Sequence, residues 1–208
     1  MSLRHQPKAA LINDFSGFGR CSVTVALPII SQMKVQCCPV LTSVFSNHTG
    51  YPSFYFDDYT EKMPSYIAEW KKLNLHFECI AAGFLGSERQ IEIVKNFIRD
   101  FKDETTKVLI DPVMGDHGRT YQTFTPEMCS QMKQLAHFAD ILTPNLTEAC
   151  ILTDTPYHDG HWQMSELSKL ALSLIAMGPS KVVITGVSMG TFIGNVICES
   201  GGTPSVVK

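Results

Sequence analysis

The strongest constraint in this sequence is a rhythm. Short apolar, β-prone runs recur at residues 8–13, 35–45, 78–82, 107–111, 141–143 and 181–185, with segments of helical period between several of them. That alternation predicts a mostly parallel sheet covered by helices on both faces, because a connection between parallel strands must cross a sheet face and is usually helical. The clearest helix is expected over 165–177, where Leu167, Leu170, Ala171, Leu174 and Ile175 fall on one side and Gly178 follows as a stop. A second is expected over 88–101, with Ile91, Val94, Ile98 and Phe101 on one side. Periodicity alone does not separate strand from buried helix at 35–45, but Pro39 and the β-branched content favour extended chain.

Composition sets the scale of the fold. With 208 residues, 44% hydrophobic and 18% charged, the chain has material for one well-packed core, and a single domain over 1–208 is expected. A net charge of -3 gives no field to attract nucleic acid or an anionic membrane, so the expected partner is a small molecule. Seven cysteines, including the adjacent Cys37 and Cys38, match neither a disulfide framework nor a zinc-ligand pair, and reduced thiols in a cytoplasm are expected. Residues 1–7 contain no apolar signal segment, and nowhere do about 18 apolar residues run together.

Ligands of parallel sheets collect beyond the carboxyl ends of the strands, and five such loops carry unusual residues. The first, Asn13-Asp14-Phe15-Ser16-Gly17-Phe18-Gly19, is expected to turn from a strand into a helix starting near Arg20. Its glycines permit close backbone approach, the helix start favours an anion, and Asp14 or Ser16 could simply cap that helix. A dinucleotide fingerprint fits poorly, since Gly17-x-Gly19-x-x-Ser22 lacks a third glycine. The second loop, Phe45-Ser46-Asn47-His48-Thr49-Gly50-Tyr51, suits a planar polar heteroaromatic ring, bonded by Thr49 or Asn47 and flanked by aromatics; a plain turn is the alternative.

In the third, Asp111-Pro112-Val113-Met114-Gly115-Asp116, two carboxylates either hold Mg²⁺ directly or through its waters, or merely cap a turn. The fourth, Thr143-Pro144-Asn145-Leu146-Thr147-Glu148, has Asn145 and Glu148 at capping-box spacing, which needs no ligand. Its functional alternative has Glu148 orienting metal-bound water while Thr143 and Asn145 face phosphates. The fifth, Thr185-Gly186 at the end of 182–186, allows only that something approaches the backbone. His158-Asp159-Gly160-His161 reads as a solvated loop rather than a metal pair.

Together these loops resemble the pyridoxal kinase family, a branch of the ribokinase-like kinases that also includes hydroxymethylpyrimidine kinase. The resemblance spans 9–197, and its most specific part is Phe45 to Tyr51, followed in order by Asp111 to Asp116 and Thr143 to Glu148. It implies a three-layer α/β/α fold with a mostly parallel central sheet, and transfer of the ATP γ-phosphoryl group to the 5′-hydroxymethyl of a B6 vitamer. Mg²⁺ and a monovalent cation, K⁺ or Na⁺, are implied with it, as is a homodimer. Carried over residue by residue, it implies vitamer contacts at Asp14, Ser16, Asn47, Thr49 and Phe84. It likewise implies that Asp111, Asp116 and Thr143 lie near the metal, with Asn145, Glu148, Thr185 and Gly186 near the nucleotide.

Two departures bear on the vitamer. Asp14 stands where many relatives use serine, and Phe84 where tyrosine is common, so pyridoxal, pyridoxine and pyridoxamine all stay open. The resemblance also implies a Gly-Thr-Gly-Asp segment with an anion hole and an aspartate base, expected beyond residue 208; turnover by residues 1–208 alone is therefore expected to be low. Residues 201–208 read as an incoming strand, and Met1-Ser2-Leu3 as a cloning remnant. The competing readings are a hydroxymethylpyrimidine kinase and a non-catalytic vitamer- or nucleotide-binding module. The kinase reading expects the five loops to gather along one rim of the sheet.

Overall fold

The computed structural model describes residues 6–122 and 124–208, so the Met1-Ser2-Leu3 start lies outside the described residues. Its contacts divide the chain into two compact units, Met1–Val108 and Leu109–Lys208.

In the first unit the elements run β1 (Lys8–Phe18), α1 (Ser22–Gln32), β2 (Gln36–Asn47), β3 (Phe56–Asp58), α2 (Met63–Lys72), β4 (Cys79–Ala82) and α3 (Glu88–Phe101). Strand β1 lies between β2 and β4 and is parallel to both, while β3 adds to β2 antiparallel over Ser43, Val44 and Phe45. Pro39 is accommodated because β3 does not reach it: β2 pairs there with β1 alone, so the missing N–H costs no ladder bond on its other side. Helix α3 forms over the expected residues. Ser87 caps it by accepting from the Gln90 N–H at 3.2 Å, and Ile91, Val94, Phe97, Ile98 and Phe101 are buried along one stripe. Each such side chain contributes about 1.5–3 kcal/mol by leaving water, and Phe97 stands among Phe77, Phe101 and Trp70 with ring centroids 4.5–6.2 Å apart.

The second unit takes up β5 (Lys107–Ile110), which begins at the boundary, then β6 (Gly115–Asp116), β7 (Arg119–Thr120), α4 (Pro126–Ala136), β8 (Ile141–Leu142), α5 (Leu146–Thr153), α6 (Met164–Ile175), β9 (Lys181–Met189), β10 (Phe192–Glu199) and β11 (Ser205–Val207). Strands β5, β8 and β9 are parallel neighbours, whereas β10 and β11 continue the sheet antiparallel; β6 and β7 form a separate small hairpin. Residues 201–208 thus do supply a strand. Helix α6 buries Leu167, Leu170, Ala171 and Leu174 as its period predicts, but it ends at Ile175, with Gly178 at φ 126° completing the turn.

Four further expected boundaries need correction. Strand β1 continues through Asp14 and Ser16, placing both within a strand, and α1 is capped at Cys21 without a side-chain bond. Neither Asp14 nor Ser16 is therefore the helix cap. Strand β2 likewise runs on to Asn47, and β9 passes through Gly186 to Met189 as an antiparallel hairpin with β10. The hydrophobic pattern ends before these extensions, because their hydrogen bonds come from partner strands: β1 and β2 pair with each other about 30 residues apart, and β9 pairs with β10 across a tight turn. All seven cysteines are free thiols. Among the described residues no helix is long and apolar enough to cross a membrane.

Candidate functional site

Strand direction decides where the chemistry collects within each unit. In the first, the parallel strands β1, β2 and β4 bring residues 13–19, 45–51 and 83–84 to their shared carboxyl ends. A bulge sets the register here: Asn13 pairs with Leu41 and Phe15 with Val44, so Asp14 faces two residues of β2. Asp14 is buried, accepting from Ser22 Oγ at 2.5 Å and from Ser16 Oγ at 3.2 Å. Asn13 does more than the sequence suggested, since its Oδ1 accepts the N–H of Phe84 at 3.0 Å and that of Asp14 at 3.0 Å. It thereby ties the turn after β4 to β1. Thr42 Oγ1 donates to the Phe84 carbonyl at 3.0 Å, holding that turn from the other side.

The Phe84 ring meets Phe45, which also contacts Phe54 and Phe56, with centroids 6.0, 5.7 and 4.9 Å away. Of these, Phe54 and Phe56 are 46% and 45% exposed, an open aromatic wall of the kind that accepts a planar ring. Thr49 is exposed at the end of β2, and Asn47 is anchored by donating to the Ser53 carbonyl at 2.9 Å. His48 accepts the Gly50 N–H on Nδ1 at 3.0 Å, which assigns it to shaping the turn.

In the second unit Asp111 and Thr143 follow the carboxyl ends of β5 and β8, and Thr185, within β9, bridges to Asn145. The capping box predicted at Asn145 and Glu148 is present: the Glu148 N–H donates to Asn145 Oδ1 at 3.0 Å and the Asn145 N–H donates to Glu148 Oε2 at 2.8 Å. Sequence spacing does not reveal the rest of the arrangement. Glu148 Oε1 accepts the Met114 N–H at 3.1 Å, and Asn145 Nδ2 donates to the Gly115 carbonyl at 2.8 Å, so the box also clamps the loop carrying Asp111 and Asp116.

Burial pushes the Glu148 carboxyl up to about 8, against the Asn145 N–H, which favours its charged form; the Asp111 charge adds to the rise. Burial likewise raises Asp111 to about 6 despite a hydrogen bond from Thr143. Burial raises Tyr121, with Asp116, Glu148 and Asp111 all adding, so three carboxylates act on one phenol that the sequence reading passed over. A cation placed among such carboxylates would offset the cost of burying them.

Beside them lies a cavity of about 300 Å³ lined by Asp116, Asn145, Thr185 and Gly186 together with Tyr157, Trp162 and Ser188. Gly186 has φ 68° and its N–H donates to Asn195 Oδ1 at 3.1 Å, which explains the glycine. The 158–161 loop is exposed as expected, yet it carries buried Trp162, whose Nε1 donates to the His158 carbonyl at 3.1 Å. Tyr157 and Trp162 are thus cavity walls in a segment whose composition reads as loop.

The chain is 30% identical over 180 residues to a pyridoxal kinase of Arabidopsis thaliana, a match covering 82% of this chain and 56% of that protein. It is 32% identical over 153 residues to a pyridoxal kinase of Sus scrofa, covering 68% and 45% respectively. The chain thus spans about half the length of the curated relatives it matches. A Bacteroides thetaiotaomicron crystal structure, of a protein provisionally assigned as a phosphomethylpyrimidine kinase and solved with pyridoxal, superimposes with a TM-score of 0.91 at 42% identity, over 97% of this chain and 72% of that one. Pyridoxal kinase from Lactobacillus plantarum does so with a TM-score of 0.87 at 28% identity, over 98% and 72%. The expected ribokinase-like α/β class is therefore the fold this chain has. The sequence model of the phosphomethylpyrimidine kinases matches residues 27–206, and with that coverage the chain belongs to the phosphomethylpyrimidine kinase family.

Proposed function

We propose that this protein acts in the phosphorylation of a B6 vitamer, with ATP giving its γ-phosphoryl group to the 5′-hydroxymethyl oxygen while the hydroxyl proton departs and ADP leaves. The observation that carries this reading is the 42% identity, over 97% of the chain, to a protein whose crystal structure contains pyridoxal. In the first unit the aromatic wall around Phe45 and Phe84 takes the ring face, while Thr49, Asn47, Asp14 and Ser16 supply hydrogen-bonding groups for its substituents. In the second, Thr185, Gly186 and Asn145 line the cavity assigned to the phosphates, and the Glu148 box fixes the loop that carries Asp111 and Asp116.

The donor set fits magnesium. Among the described residues no cluster of three or more His, Cys, Asp or Glu side chains forms a closed metal cage. A pair of carboxylates with the Thr143 hydroxyl suits a small hard cation that takes its other ligands from phosphate and water. Asp111, Asp116 and Thr143 would hold it, and its charge would neutralise phosphate oxygens as negative charge develops there. A monovalent cation, a homodimer and a cytoplasmic location belong to the same reading.

The family match favours a second reading, phosphorylation of a hydroxymethylpyrimidine by the same phosphate residues. Calorimetric titration with pyridoxal, pyridoxine, pyridoxamine and hydroxymethylpyrimidine, beside a phosphorylation assay with MgATP, separates them. Vitamer binding with turnover supports the kinase reading; binding without turnover supports a binding module; binding and turnover confined to the pyrimidine reject the vitamer.

A further inference from the structure

Among the described residues of the first unit, one buried hydroxyl has no partner. Ser43 is 1% exposed, and its Oγ makes no hydrogen bond, although the polar groups around it are well connected. Thr42 Oγ1 donates to Phe84, and Gln90 Nε2 donates to the Thr42 carbonyl at 2.8 Å, to Thr60 Oγ1 at 2.8 Å and to Asp58 Oδ1 at 3.1 Å. A buried hydroxyl without a partner is destabilising, and alanine would avoid that cost with almost the same packing. The place of Ser43 suggests what completes it. It pairs with Asp58 across β3 while Phe45 pairs with Phe56, so Ser43 and Phe45, two residues apart, share one face of β2. That face carries the aromatic wall, and Ser43 belongs to the pair of β2 residues opposite Asp14 at the bulge.

We propose that Ser43 is a substrate-binding residue whose hydroxyl hydrogen-bonds a polar substituent, or the ring nitrogen, of the heteroaromatic alcohol lying against Phe45. This rests on the vitamer reading for the identity of the ring. The substrate supplies the partner that the polypeptide does not, so the cost of the orphan group is recovered only on binding.

The test compares the unaltered chain with Ser43→Ala by calorimetric titration with the three vitamers and hydroxymethylpyrimidine, alongside thermal unfolding without ligand. Ser43→Ala is expected to weaken ring binding about 3- to 10-fold with an unfolding midpoint unchanged or raised, a combination that a merely structural serine would not give. Unchanged affinity overturns the proposal, and so does a lowered midpoint, which would show that Ser43 already has a partner within the chain. If the unaltered chain binds only the pyrimidine, the vitamer reading fails while the affinity ratio for the pyrimidine still decides the role of Ser43. If it binds no ring compound at all, both fall.

Discussion

A double-mutant cycle at Asn13 and Gly83 tests how the ring-binding turn is held. A Cβ built on Gly83 would lie 2.6 Å from Asn13 Nδ2, 2.9 Å from Cγ and 3.0 Å from Oδ1. Gly83 does not have a positive φ, so the obstacle to alanine is this contact and not the backbone conformation. Gly83→Ala must displace the Asn13 amide, breaking its hydrogen bonds with the N–H groups of Phe84 and Asp14, both at 3.0 Å. Two lost bonds at about 0.5–1.5 kcal/mol each and about 1–3 kcal/mol of overpacking, less about 0.4–1 kcal/mol from the stiffer unfolded chain, leave a net cost of about 1–5.5 kcal/mol, centred near 3. Asn13→Ala loses the same bonds without the clash and should cost about 1–3 kcal/mol. In the double variant nothing remains to collide, so its cost should be no greater than that of Asn13→Ala, a coupling at least as large as the Gly83→Ala cost, about 1 kcal/mol or more. Urea unfolding followed by tryptophan emission measures it, because Trp70 packs on Phe77 at 5.4 Å in this unit. Single-variant costs that add to within about 0.5 kcal/mol would refute the argument, because they would mean that Gly83 and Asn13 do not depend on each other.

Other perturbations separate the two units. Thr49→Ala should weaken vitamer binding about tenfold and nucleotide binding much less, and Asp116→Asn the reverse, as for one lost hydrogen bond or charge contact; equal effects on both ligands in calorimetry would count against the assignment. Glu148→Ala strands the Met114 and Asn145 N–H groups and should cost about 2–4 kcal/mol in urea unfolding, whereas a variant as stable as the unaltered chain would show that the box does not clamp the loop. Hydrogen bonds from the Thr105 hydroxyl and N–H hold Asp103 down to about 2 from 3.8, with Thr106 and His76 contributing. Because the folded value is depressed, its stabilisation is present above pH 3.8 and is lost as pH falls through about 2. Asp103→Asn should therefore flatten that acid limb, and an unaltered limb would exclude Asp103 as its source.

Local pattern alone determined a good deal of this protein. The apolar runs located β1, β2, β4, β5, β8 and β9, and the repeat of Ile91, Val94, Ile98 and Phe101 defined α3, because burial of one face writes its period into the chain. The Asn145–Glu148 box was equally legible, since both of its partners lie within one helical turn. Only tertiary structure decided that Asp14 and Ser16 sit inside β1, that Asn13 grips the Phe84 turn 71 residues away, and that Glu148 reaches Met114 34 residues back. The orphan hydroxyl of Ser43 and the walls formed by Tyr157 and Trp162 belong with these. A residue's periodicity records which face it occupies, whereas its hydrogen-bond partner is fixed by the register of strands brought together from distant parts of the chain, and no local spacing encodes that.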